Sequence, residues 1–135
     1  MSIETPQLQT HRVNVLVGEV QPGATDCQLK LLVDAPAGTV SGHAVIKQAT
    51  MPPLNIHVNN VTGRIFTFGV EPAKRVVELS GTYSETLPPP AIGTLTFEFG
   101  ASLIIGEDDW DGRGSFTFGG HELRDQPVKH YGDDA

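Results

Sequence analysis

Cysteine is almost missing from this sequence, with Cys27 the single example among 135 residues. A lone thiol excludes an intrachain disulfide, and a chain of this length buries enough surface to stand without one. Cys27 alternates in step with Leu29, Leu31 and Val33, which reads as a buried structural thiol and not as a nucleophile. Long apolar runs are missing as well, and none approaches the roughly 20 residues that a membrane-spanning helix needs. Positive charge is scarce: nine Lys and Arg stand against sixteen Asp and Glu, for a net charge of −7. Only Lys74 and Arg75 are adjacent. Nucleic-acid binding draws on a clustered basic footprint, so it is not expected here, and an anionic membrane surface repels such a chain. The first ten residues have neither a basic stretch nor an apolar one, so no secretory signal is read there. The expectation is a soluble cytoplasmic protein without membrane insertion, leaderless export being left open.

Signatures of chemistry are equally scarce. No Gly-x-Ser-x-Gly elbow occurs, and Gly112-Arg113-Gly114-Ser115 is too short for a phosphate loop and lacks its lysine. The five histidines, at 11, 43, 57, 121 and 130, show no His-Glu-x-x-His spacing. Glu71, Glu78, Glu85 and Glu98 lie far apart, so no glycosidase dyad is visible. No catalytic residue and no cofactor is expected.

What the chain does have is 15 glycines and 10 prolines. That many turn-formers in one short domain imply many short elements and favour an all-β fold. Val13, Val15 and Val17 alternate with Asn14, Leu16 and Gly18, a period of two that marks a strand. Gln21-Pro22-Gly23-Ala24 has the order of a type II turn. Further strands are predicted over 27–34, 39–48, 75–85, 92–105 and 110–119. Between 54 and 68 the phase slips: Leu54, Ile56 and Val58 fall in one register, and Val61, Gly63 and Ile65 in the other. A hairpin turn at Asn59-Asn60 explains the slip, and so does a bulge in one long strand.

Short connections throughout require antiparallel pairing of successive strands. Two architectures fit, an antiparallel β-sandwich of seven to eight strands and a small up-and-down β-barrel; the sandwich is the expected one. The single domain is placed at 12–120, between a flexible N-terminus at 1–11 and a polar C-terminal tail at 121–135. An apolar–hydroxyl–glycine phrase recurs at Val40-Ser41-Gly42, Val61-Thr62-Gly63 and Leu79-Ser80-Gly81. Its spacing is too uneven for a solenoid or a propeller, so the glycines are taken to mark bends or close backbone approaches.

The run LKLLVDAPAGTVSGHAVIKQAT, from Leu29, and the MPPLNIHVNN that follows resemble a bacterial family catalogued as domain of unknown function 1842. The resemblance implies a bacterial origin and a small β domain. It implies no activity and carries no catalytic residues.

Two constellations remain as candidate sites. Glu107, Asp109, Asp111 and Gly112 match the start of a calcium loop, yet the twelfth position, where a bidentate Glu belongs, is Phe118. An acidic hairpin turn is the competing reading, one that also guards Leu103-Ile104-Ile105 against edge pairing. His43, Asn55, His57 and Asn59 alternate out of phase with the apolar residues, so neighbouring strands would gather them into a polar surface patch. Trp110 is a further candidate if exposed. The leading expectation is a non-enzymatic module acting through contacts with a protein partner or with its own copies. A small-molecule or glycan binder comes second and an uncharacterised hydrolase third.

Overall fold

The computed structural model describes residues 10–19, 23–49, 53–67, 74–106 and 109–131. Eight strands follow one another: β1 (Thr10–Val17), β2 (Thr25–Asp34), β3 (Thr39–Gln48), β4 (Leu54–Thr67), β5 (Lys74–Thr86), β6 (Thr94–Gly106), β7 (Gly112–Phe118) and β8 (His121–His130). Each pairs antiparallel with the next, and β8 returns to β1 through Val15↔His130, Leu16↔Lys129 and Val17↔Val128. The result is a closed up-and-down barrel, so the expected sandwich gives way to the alternative considered beside it. Both architectures use the same strands with the same alternation. They differ in where the last strand finds hydrogen-bond partners, which no local pattern records. No helix among the described residues is long and apolar enough to cross a membrane.

Closure is strongly staggered. Following the pairing from Thr67 through Arg75, Ile105, Gly112, Val128, Val17, Cys27 and Ile46 returns to β4 at Ile56, not at Thr67. That offset tilts the strands against the barrel axis and widens the interior. The interior is filled by the chain's own side chains: Val15, Cys27, Leu29, Ala44, Ile46, Val58, Val77, Leu103 and Ile105 are fully enclosed, with Phe99 and Phe116 beside them. Full burial of one such Val, Leu or Phe contributes roughly 1.5–3 kcal/mol, so this layer supplies the main favourable term of folding.

Two features shape the wall. Ala44 pairs with Val58 but Gly42 pairs with Val61, so His43 faces both Asn59 and Asn60. The phase slip in β4 is therefore a bulge, and β4 is one strand. Two of the recurring glycines, Gly42 and Gly63, stand where a neighbouring backbone presses close, and the third, Gly81, is met first by the Val58 side chain. A Cβ on Gly42 would overlap the carbonyl oxygen of Lys30, and one on Gly63 would overlap that of Glu78. These are the close approaches expected of the phrase.

The second feature is a seam. Pairing of β4 with β5 ends at Thr62↔Ser80, although both strands continue. Asn60 bridges the gap with its side chain: Thr82 N–H donates to Oδ1 at 3.0 Å, and Nδ2 donates to Thr82 Oγ1 at 2.9 Å. Past the seam β5 pairs with β6 alone, from Gly81↔Phe99 to Thr86↔Thr94. β6 leaves β7 after Phe99↔Phe118 and the Gly119 N–H bond to the Glu98 carbonyl, so the last four pairs, from Tyr83↔Phe97, form a two-stranded arm beyond the barrel wall. Tyr83 and Phe97 stack at its base with ring centroids 5.3 Å apart, while Ile92 and Leu95 near its tip are exposed.

The predicted tail from residue 121 includes β8. Its register also shifts, because Gly114 pairs with Gln126 and Phe116 with Leu123. Arg124 and Asp125, the latter with φ 54°, together stand opposite Ser115. Arg113 holds this bulge by donating from Nε to Asp125 Oδ1 at 2.9 Å.

Candidate functional site

Polar residues that alternate with the core must face outward, and three adjacent strands bring many of them together. On β2, β3 and β4 the pairings Lys30↔His43, Gln28↔Val45, Val45↔His57 and Lys47↔Asn55 set these side chains in cross-strand rows. They line a shallow groove of about 420 Å³ formed by Gln28, Lys30, His43, Val45, Lys47, Asn55, His57 and Asn59. The four residues of the expected patch, His43, Asn55, His57 and Asn59, thus share one surface, and all four are exposed. The β4 bulge contributes by setting Asn59 and Asn60 together opposite His43.

Gln28, Lys30 and Lys47 belong to the same groove and were missed by the sequence reading. Their signal was present: positions 28, 30, 43, 45, 47, 55, 57 and 59 are the complement of the buried positions along each strand. It becomes visible only when β2 is registered against β3.

A second groove, of about 590 Å³, adjoins the first and shares Gln28 and Lys47 with it. Leu16, Glu19, Asp26, Gln48 and Tyr131 are among its lining residues. Tyr131 arrives there because its N–H donates to the Asn14 carbonyl at 3.0 Å, just past the closure of β8 on β1. Asp26 Oδ1 is buried and has no hydrogen-bond partner among the described residues. Burial raises the Asp26 carboxyl above its usual range, with the Lys47 ammonium acting in the opposite direction. Burial raises the Tyr131 phenol too, reinforced by Asp26 and then Cys27. The Cys27 thiol is raised strongly by burial and secondarily by Asp26, so at neutral pH it is protonated and enclosed, as its alternation with leucines predicts.

Trp110 is not the exposed aromatic that a stacking site would need, since only 7% of its surface is accessible. The Arg75 guanidinium lies 5.1 Å from the centre of its ring. Arg75 also donates from Nε to the Gly106 carbonyl at 2.8 Å and from its terminal nitrogen to the Asp109 carbonyl. The pair secures the β6–β7 connection. Trp110 is buried because Arg75, on a neighbouring strand, closes over it.

The calcium-loop candidate reads the same way where it is described. Asp109 Oδ1 accepts from the Asp111 N–H at 3.2 Å, and Asp111 Oδ1 accepts from the His130 N–H at 3.3 Å. Both carboxylates are thus engaged with backbone around the turn, and Glu107 lies outside the described residues. Among the described residues no group of three or more His, Cys, Asp or Glu is placed to hold a metal ion.

No curated protein matches this chain. One family model does, over residues 10–122, and its description is Domain of unknown function (DUF1842).

Proposed function

Since the chain belongs to the DUF1842 family, whose description assigns no activity, we propose from its own surface that it is a non-enzymatic binding module working with its outer wall. The observation that carries this reading is the division of labour between the two faces of the sheet. The inner face is occupied by the fold itself, from Val15 and Leu29 to Phe99 and Phe116. The outer face of β2–β4 presents a groove whose lining is almost wholly hydrogen-bonding side chains. Its volume falls in the range of small-ligand sites, roughly 300–1,000 Å³.

Self-association is the second reading, and the β5–β6 arm favours it. Towards its tip the arm's strands pair with each other, from Tyr83↔Phe97 to Thr86↔Thr94, and Ile92 and Leu95 are exposed on it. Exposed strand edges are templates for pairing with another chain.

Native mass spectrometry of protein purified from its own host tests both readings. The wild type is compared with a variant carrying H43A, N55A, H57A and N59A. A bound mass that the variant loses supports the groove, and a doubled chain mass in both proteins supports the arm. A bare 14.5 kDa chain in both cases contradicts both readings.

A further inference from the structure

We infer that the β2–β4 groove is a site for an oxyanion, a phosphate, sulfate or carboxylate group carried on a small polar molecule. This rests on the reading of the groove as a binding surface and specifies its chemistry. The chain has sixteen acidic and nine basic residues, yet the groove lining includes no carboxylate. Its polar side chains are two ammonium groups, two imidazoles and three carboxamides: Lys30 and Lys47, His43 and His57, Gln28, Asn55 and Asn59. Every one of them can donate a hydrogen bond, and the lysines can do nothing else.

The arrangement concentrates these donors. Lys30 stands directly across from His43, and Lys47 directly across from Asn55. Side chains in such positions lie about 5 Å apart at their Cβ atoms, close enough for one anion to meet both. His57 lies on the middle row, across from Val45, whose short apolar side chain makes the floor. Asp26 is the opposing charge set beside the groove by the register. It lies across from Lys47 on the other side and lines the adjoining groove, so it offsets Lys47 more than Lys30. Among the described residues the ion pairs join Arg113 to Asp125 and Arg124 to Glu122, so neither lysine is held in one, and Lys30 is the one not set against Asp26. Against a chain of net −7, a groove with two ammonium groups, no carboxylate and a donor on every polar side chain selects a small anion and not a polyanion. A long polyanion would also meet the surrounding negative surface, whereas a single oxyanion needs only the local donors.

The test uses the isotopically labelled full chain and three probes with one scaffold: glucose 6-phosphate, glucuronate and glucose. Backbone amide shifts are followed by NMR. The expected result is saturable shifts within residues 28–30, 43–47 and 55–59 with at least one anionic probe and none with glucose. The stronger of the two anions identifies the source as a phosphate ester or a sugar acid. In the K30Q/K47Q variant the midpoint should rise roughly tenfold, the loss of one charge-assisted hydrogen bond. An unchanged amide spectrum elsewhere verifies that the variant is folded. Equal shifts with glucose would overturn the oxyanion assignment while leaving the groove a binding surface. Absence of shifts with all three probes overturns it as well. The native mass comparison then decides separately whether the groove binds anything.

Discussion

Asp26 is the residue with the least settled surroundings. One carboxylate oxygen is enclosed without a partner among the described residues, and burial outweighs the attraction of Lys47 in raising its pKa. A carboxyl raised in the folded state holds more protons there than in the unfolded chain. Its contribution to stability is therefore greatest below the unfolded pKa and is lost as pH rises through the folded one. At pH 7 the ionised group opposes folding. Asp26→Asn should raise the melting temperature at pH 7, and the gain should shrink as the pH is lowered towards 4. Thermal melts across that range check it, and a variant less stable than wild type at pH 7 would show that the attraction of Lys47 dominates. Tyr131 offers a second readout in the same place, because its phenol is raised partly by Asp26.

Strands were legible where alternation is uninterrupted. Val13 to Val17 and Cys27 to Val33 read as β1 and β2 because every second residue is buried. Two strands were obscured by bulges. In β4 the core residues Val58 and Val61 are separated by an odd number of positions, and only the pairing to β3 shows that the chain does not turn there. In β8 Val128 is buried and Leu123 is partly so, again an odd separation across Arg124-Asp125. With just two apolar residues out of phase, HELRDQPVKH resembles a tail. The glycine phrase, by contrast, was legible as architecture. Gly63→Ala should destabilise the barrel by roughly 3 kcal/mol, because the new methyl group meets the Glu78–Leu79 backbone, which cannot rotate away as a side chain could. Urea unfolding measures this. A change under about 0.5 kcal/mol, the level of an ordinary surface substitution, would mean that β4 and β5 part easily there.

The whole molecule is a single sheet whose two ends meet, and its surface chemistry depends on that closure. The polar groove could be assembled from three consecutive strands, so most of its residues were recognisable by phase alone. The adjoining groove could not, because Tyr131 reaches Asp26 only after β8 has returned to β1. Closure is also what the expected domain limit at residue 120 overlooks. A chain ending there lacks β8 and leaves the edges of both β1 and β7 unpaired. It should fail to give a cooperative unfolding transition by circular dichroism, and a sharp transition near that of the full chain would show that seven strands suffice.

The short β1–β8 junction has a mechanical consequence. It consists of three residue pairs in antiparallel register, with His130 opposite Val15 and the Tyr131 N–H bond to the Asn14 carbonyl at the end where both chain ends leave. A pull applied to the two chain ends reaches that end of the ladder first and separates its rungs one at a time, where a sheared ladder would resist with all of them together. Stretched between its termini, the barrel should unzip at low force, beginning where the sheet closes. Single-molecule force spectroscopy would register a first step that releases β8, and a single high-force rupture of the whole barrel would contradict it.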